Sequence, residues 1–312
     1  MTRRIAWVLS LVLLGASPAM AQVWPNEPAG SANVFDCTMA HLLCNGLLTD
    51  NYNTTGLNAS PPSAFSVVSG SDASELVSPP SALVSKIAQG QLTGGTELTR
   101  YLGTNRREIY VGIDWRTNLG FQGRTVGNKM VLIRGPGVNH VFLFGNSSLV
   151  NGQAPLIFAH NTGAPSYPGF SENHACPAFA LGEACYPNVG PGILHVGPPW
   201  QKLEFYLRSS TTSTSRDGIV RAWIDGVPAL NYTNLNVAPN GFDNVTWSET
   251  WDGSPCCTFV TSADGWQHWI GHWRISFPNC PSGCAPTGGG GTAPPPPPPP
   301  LPPNKPTNLR VQ

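Results

Sequence analysis

Only 11% of the 312 residues are charged, and the 17 lysines and arginines balance the 17 aspartates and glutamates. An average domain carries roughly 25% charged residues. With a net charge of zero and no basic run, nothing in the sequence indicates a nucleic-acid partner or an anionic membrane surface. The 34 glycines and 32 prolines favour a β protein with many loops.

The first 21 residues have the pattern of a secretory signal peptide. Arg3 and Arg4 precede an apolar stretch at residues 5–15, and Ala19-Met20-Ala21 matches an A-x-A cleavage site. The stretch is too short to span a membrane, and no later run of about 18 apolar residues follows it. We therefore expect a chain exported from a bacterial cell, periplasmic or extracellular, without a membrane span.

Residues 286–312 have low complexity. Four glycines precede a run of seven prolines, which predicts a flexible segment joined to a stiff polyproline II rod. We expect this tail to lie outside the folded unit. Residues 22–285 remain, which is enough for one large β domain.

The eight cysteines form an even set behind a signal peptide, which is typical of disulfides in an oxidising compartment. Their local spacing favours three pairs: Cys37–Cys44, Cys176–Cys185 and Cys280–Cys284. Cys256 and Cys257 would then form a vicinal bridge, or each would reach another pair. No C-x-x-C pair occurs, which disfavours a metal site built on cysteine.

Short apolar segments separated by turn residues follow one another along the chain. They predict strands at residues 65–68, 83–87, 107–118, 129–134, 138–144, 156–160, 242–247 and 269–277. Residues 22–58 are predicted to be irregular, with one short helical turn within 37–48. Residues 162–199 are predicted to be a long insertion loop. No later segment of ten or more residues has a helical pattern, so we expect a sandwich or barrel.

The strongest strand pattern lies between residues 200 and 234. Two segments alternate apolar with polar residues, and Asp225-Gly226 predicts a type I′ hairpin turn into a third strand. The alternation places four bulky polar or aromatic residues on an open face of the predicted sheet: Glu204, Tyr206, Arg221 and Trp223.

These residues lie in the motifs W-x-x-L-E-x-Y-L and D-G-x-x-R-x-W-x-D-G-x-P, which G-H-W-R-I-S-F follows at residues 271–277. The set resembles the concanavalin A-like lectin/glucanase superfamily, in particular its laminin G-like and polysaccharide lyase-like bacterial members. Weaker similarity extends to Y-V-G-I-D-W and F-Q-G-x-x-x-x-N-K. The resemblance implies an all-β jelly-roll sandwich of two antiparallel sheets with a carbohydrate groove on the concave sheet. The cysteine positions add the expectation of long disulfide-stapled loops. This fold hosts both binding proteins and enzymes.

Glycoside hydrolysis by the usual route of this superfamily is disfavoured. Its retaining glycosidases use E-x-D-x-x-E or E-x-D-x-E, which sets two carboxylates about 5–5.5 Å apart across a sugar bond. Neither motif occurs, and the position two residues after Glu204 is Tyr206, which is not an acid.

A polysaccharide lyase needs a polar or cationic group for the uronate carboxylate and a Tyr or His that takes the neighbouring proton. Alginate lyase-like members carry R-T-E-L-R, Q-[IV]-H and Y-F-K-x-G. This sequence has only a degenerate G-T-E-L-T-R at residues 95–100 and Gln267-His268 without a residue between them. The candidate bases are Tyr206, His140 and His272, and the candidate neutralisers are Arg221, Lys129 and Arg274.

We therefore predict a secreted, monomeric, lectin-like domain that binds a polysaccharide. The predicted binding residues are Glu204, Tyr206, Arg221, Trp223, Lys129 and Arg274. A lyase acting on an acidic glycan by β-elimination is the first alternative, and an adhesion protein is the second. Glu204 and Arg221 could instead pair across strands, and the tryptophans could fill the core. No cofactor is expected; the alternative is a calcium ion near Asp217 and Asp225, since this fold often holds one.

Overall fold

The structure, a computed structural model, describes residues 24–38, 52–56, 65–69, 81–87, 89–90, 93–118, 128–136, 138–144, 153–161, 178–179, 182–185, 188–190, 193–195, 197, 200–252 and 265–279. The regular structure in these ranges consists of 17 β-strands in two antiparallel sheets, which confirms the predicted all-β sandwich. In the same ranges, no helix has the length and apolar character that crossing a membrane requires.

The first sheet has eight strands. In spatial order they are β15 (Val227–Leu235), β14 (Gly218–Ile224), β13 (Gln201–Arg208), β6 (Glu108–Thr117), β17 (Trp266–Phe277), β4 (Ser81–Ile87) and β3 (Phe65–Ser69), with β1 (Ala32–Thr38) also paired to β17.

The second sheet has nine strands. In spatial order they are β10 (Ala178–Phe179), β11 (Gly182–Cys185), β9 (Gln153–Asn161), β8 (Val138–Phe144), β7 (Asn128–Gly135), β16 (Phe242–Asp252), β5 (Thr93–Arg106) and β2 (Tyr52–Gly56), with β12 (Ile193–His195) also paired to β9.

The core fills the space between the sheets with every second residue of the central strands. Val111 of β6 lies opposite Phe205 of β13 in the first sheet, and both are fully buried. Ile133 of β7 lies opposite Val245 of β16 in the second sheet, again fully buried. Full burial of such a side chain stabilises the fold by about 1.5–3 kcal/mol. The alternation of apolar and polar residues in the sequence therefore matches the alternation of core-facing and outward-facing residues in these strands.

All eight predicted strands overlap strands of the structure, but two predicted irregular regions are wrong in part. β1 and β2 lie within residues 22–58, and the short strands β10 to β12 lie within 162–199. β1 lacks a clean alternation because its register with β17 shifts between Asn33 and Phe35. Residues 39–48 of the predicted helical turn lie outside the described residues. The side chains of all eight cysteines also lie outside them, so the disulfide pairs stay predictions.

The predicted hairpin turn between β14 and β15 is confirmed. Asp225 and Gly226 both have positive φ, 51° and 78°, as a type I′ turn requires. The Asp225 carboxylate also accepts a hydrogen bond from the backbone N–H of Lys202 at 2.8 Å. The turn is thus fixed both by its own dihedral angles and by its contact with β13.

We expect Gly226→Ala to lower the free energy of unfolding by about 1–2 kcal/mol, because the left-handed backbone conformation is unfavourable for an L-residue with a Cβ. A Cβ would meet only the Pro25 ring, at 3.9 Å, so strain rather than a clash sets this value. Asp225→Asn is the matched control, since Asn tolerates the same conformation and keeps the acceptor oxygen. Urea unfolding measures the stability of both variants. Equal stability of Gly226→Ala and the native chain would contradict the type I′ turn at Asp225-Gly226.

Candidate functional site

The face of the first sheet that was predicted to be open is covered in the structure. Residues 24–28, here called the N-terminal strap, lie across β6 and β13. Glu204 is 0% exposed, Tyr206 1% and Trp223 4%, so the prediction of an open face is wrong at these positions. Of the four predicted residues in this part of the sheet, Arg221 alone remains partly exposed.

The indole of Trp24 anchors the strap. It packs on Gly112 of β6 so closely that a Cβ at this glycine would lie 2.6 Å from Trp24 Cε3. The Lys202 ammonium lies 3.8 Å from the indole centroid, and the His272 ring lies 4.9 Å from it. The strap itself therefore takes up the space in which a sugar ring would stack.

The carboxylate of Glu204 is fully engaged under the strap. Its Oε1 accepts hydrogen bonds from the Asn26 backbone N–H at 2.8 Å and from the Tyr110 hydroxyl at 2.6 Å, and its Oε2 accepts one from Asn26 Nδ2 at 2.8 Å. Burial, together with the Glu204 charge, raises the pKa of Tyr110 well above its usual value. Tyr110 is thus a permanent donor, and Glu204 holds the strap in place.

Arg274 and His272, predicted as a neutraliser and a base, have acidic partners. Arg274 donates to Glu27 at 2.8 Å and to Asp36 at 2.9 Å, and His272 also contacts Asp36. The hydrogen bond from His272 lowers the pKa of Asp36. These contacts fix the strap and β1 onto β17, so they account for Arg274 and His272 without a ligand.

Tyr206 and Arg221 form a separate pair. They are opposite each other in the register of β13 and β14, whereas Glu204 lies opposite Trp223. The guanidinium lies 5.7 Å from the Tyr206 ring centroid, and the Tyr206 hydroxyl donates to Glu108 at 2.9 Å. The alternative cross-strand pair between Glu204 and Arg221 is therefore not formed.

The outer face of the second sheet presents a different polar surface. In register across β5, β16 and β7 lie Tyr101, Asn244 and Arg134, and the adjacent row contains Thr99, Thr246 and Leu132. Tyr101 is 49% exposed, and Arg134 is half-buried. We call the rows formed by these residues the Tyr101–Arg134 face.

Hydrogen bonds order this face around Thr246. Its hydroxyl accepts from Arg134 Nη1 at 3.1 Å and lies 2.9 Å from the Thr99 hydroxyl. It also lies 3.4 Å from Asn244 Oδ1. The guanidinium is therefore directed from its own row onto Thr246 of the adjacent row.

Lys129 adds a second cation to the Tyr101–Arg134 face. β7 has a bulge between Lys129 and Val131, and Met130 and Val131 both belong to the core. The bulge leaves half-buried Lys129 on the outer side of the sheet with Arg134. Of the six binding residues predicted from the sequence, Lys129 is the one that lies on this sheet.

The other predicted positions are placed only in part. His140 lies opposite Ile133 in the register of β8 and β7, and its side chain is outside the described residues. Asp217 accepts hydrogen bonds from Thr211, which lower its pKa below the usual value, and Asp225 forms the hairpin turn. Among the described residues, no group of three His, Cys, Asp or Glu side chains could hold a metal ion.

Comparison with known proteins identifies the fold. No protein-family model matches this sequence, and no curated protein matches it. The crystal structure of the marine PL-14 alginate lyase from Aplysia kurodai is similar with a TM-score of 0.54 and 12% identity, over 79% of this chain and 100% of that one.

Two further lyases are similar at lower scores. An endo-β-1,4-glucuronan lyase from the fungus Trichoderma reesei has a TM-score of 0.48 and 13% identity, over 73% of this chain and 91% of its own. An alginate lyase from Chlorella virus has a TM-score of 0.47 and 12% identity, over 75% and 97%. The chain therefore has an all-β jelly-roll sandwich fold, like that of the Aplysia kurodai structure.

We expect Glu204→Gln to lower the free energy of unfolding by about 2–3 kcal/mol. Both carboxylate oxygens now accept hydrogen bonds, so the NH2 group of glutamine would point at another donor and that bond would be lost. Polysaccharide binding by the folded variant should stay unchanged. Tyr206→Phe is the comparison, since it removes the half-buried bond to Glu108 and should cost about 1 kcal/mol. Loss of ligand binding in Glu204→Gln at native stability would contradict a structural role for this carboxylate.

Proposed function

We propose that this protein is a secreted protein that binds an acidic polysaccharide across the Tyr101–Arg134 face. The observation that carries the proposal is the row of Tyr101, Asn244 and Arg134 on three adjacent strands, with Lys129 on the same side. The similar Aplysia kurodai structure is an alginate lyase, which supports an anionic polysaccharide as the ligand class.

The chemistry of this face suits carboxylated sugars. A guanidinium binds a carboxylate with two parallel N–H donors, and an ammonium adds a second positive charge. The exposed ring of Tyr101 offers a flat apolar surface with a polar hydroxyl at its tip. Neighbouring strands lie about 4.8 Å apart, so the row from Tyr101 to Arg134 spans about 10 Å. A chain of sugars can therefore contact the aromatic ring and the two cationic groups together.

Cleavage by β-elimination is the second candidate, because the row contains the groups that this reaction needs. Arg134 would stabilise the negative charge that develops on the uronate carboxylate. The Tyr101 oxygen, as phenolate, would take the proton next to the carboxylate. The freed electron pair forms a carbon–carbon double bond as the bond from carbon to the glycosidic oxygen breaks. That oxygen takes the proton from the Tyr101 hydroxyl, which restores the phenolate. No oxidant, reductant or second substrate is consumed.

The degenerate lyase-like segment G-T-E-L-T-R supports the same location. It occupies residues 95–100 of β5, the strand that also provides Thr99 and Tyr101. Its fifth position, Thr99, lies in the row beside Tyr101. The segment is thus part of the face on which the acidic polysaccharide is proposed to bind.

Arg134→Gln and Lys129→Gln should each weaken binding to alginate or glucuronan by about tenfold at low salt. Added salt should reduce this difference, because it screens exposed charges. Arg216→Gln, with the same charge change in the loop between β13 and β14, should bind like the native protein. Titration calorimetry measures all three, and equal affinity of Arg134→Gln, Lys129→Gln and Arg216→Gln would contradict the proposed face.

Tyr101→Phe separates binding from cleavage. If the protein is a lyase, we expect this variant to bind as before but to lose at least about 100-fold in rate, since it lacks the base. The assay is the ultraviolet absorbance of the unsaturated product, measured on alginate, glucuronan, pectate and heparin. A native protein that binds these polymers but produces no absorbance change would exclude the lyase candidate and keep the binding protein.

A further inference from the structure

A pocket of about 440 Å³ lies at one end of the sandwich, and its lining shares no residue with the Tyr101–Arg134 face. It forms where β5 passes into β6 through the single residue Arg107, beside the end of β17. Ala32 of β1 and Phe277 of β17, which are paired in register, make one wall together with Pro278. Since three distant segments build it, the pocket is a product of the fold rather than of one loop.

Arg106 lines this pocket and belongs to the side of β5 that faces the other sheet. It lies opposite Phe242, which is a core residue, whereas Tyr101 is on the outer side. Its guanidinium stacks over the Phe277 ring, 4.3 Å from the centroid. Within the described contacts, the guanidinium has this ring and no hydrogen-bond acceptor. Stacking holds the planar group while leaving its N–H edge available.

Arg107 brings a second guanidinium to the same pocket. Its Nη2 donates to the Ser210 carbonyl at 3.2 Å, which fixes the side chain and leaves other N–H groups for a ligand. The acidic residue of the lining, Glu108, accepts a hydrogen bond from Tyr206 and lies opposite Arg208 in the register of β13. Burial raises the pKa of Glu108. The lining therefore has two cations against one acid that already has a partner.

We propose that this pocket is a second binding site, which takes a small organic anion. A carboxylate, sulfate or phosphate group would lie between Arg106 and Arg107, where guanidinium groups bind such oxyanions with paired N–H donors. The less polar part of the ligand would contact Phe277 and Pro278. The volume lies within the usual range of about 300–1,000 Å³ for small-molecule sites.

The test is titration calorimetry of the full chain with four small sugars: glucuronate, glucose 6-sulfate, glucose 6-phosphate and uncharged glucose. We expect at least one of the anions to bind and glucose not to bind, and the strongest anion identifies the preferred group. Arg106→Gln should lower the affinity for that anion by about tenfold or more. Arg106→Lys should lower it less, because lysine keeps the positive charge but lacks the paired N–H donors of the guanidinium.

Arg216→Gln is the matched control, with the same charge change in the loop between β13 and β14, outside both proposed sites. It should leave the binding of the small anion unchanged, and Arg106→Gln should leave polysaccharide binding unchanged. The two proposals therefore fail separately. Any of three results would overturn the second site. Glucose could bind as tightly as the anions, no anion could bind, or the native protein and a folded Arg106→Gln variant could have equal affinity. Thermal unfolding verifies that each variant is folded.

Discussion

The buried carboxylate of Glu204 is the constraint on which the first sheet depends. A charge with no solvent contact destabilises a fold strongly unless donors surround it. Here two donors come from Asn26 and one from Tyr110. Because both Asn26 donors belong to the N-terminal strap, the strap must cover β6 and β13 whenever the protein is folded. Residue 112 must be glycine in this arrangement, since a Cβ at this position would clash with the Trp24 ring.

The strap determines where a ligand can bind. It closes the face that carries Glu204, Tyr206 and Trp223, so the proposed function rests on the second sheet. There the alternation that builds the core with Val245 and Ile133 places Asn244 and Arg134 on the opposite side. The same strands therefore supply both the packed interior and the polar outer face. Exposed Tyr101 and half-buried Lys129 complete a surface with positive and aromatic groups.

The local part of this fold was predictable from the sequence. Alternation identified β6, β13 and β14 with the correct faces toward the core, and Asp225-Gly226 identified the hairpin. The cover over Glu204 was not predictable, because Asn26 and Glu204 are 178 positions apart and the strap has no periodic pattern. The Tyr101–Arg134 face was missed for a related reason. Leu132 makes β7 look continuously apolar, so the outward position of Arg134 becomes evident only in the register with β16.

Hydrogen–deuterium exchange with and without an acidic oligosaccharide tests most directly the claim that the second sheet binds and the first is closed. With an alginate or glucuronan oligomer in excess, we predict slower exchange in peptides from β5, β7 and β16. Peptides from β13 and residues 24–28 should exchange at the same rate with and without the oligomer. Slower exchange only in β13 and β14, or faster exchange in residues 24–28 on binding, would contradict the account. Either result would indicate that the ligand binds on the face that carries Glu204.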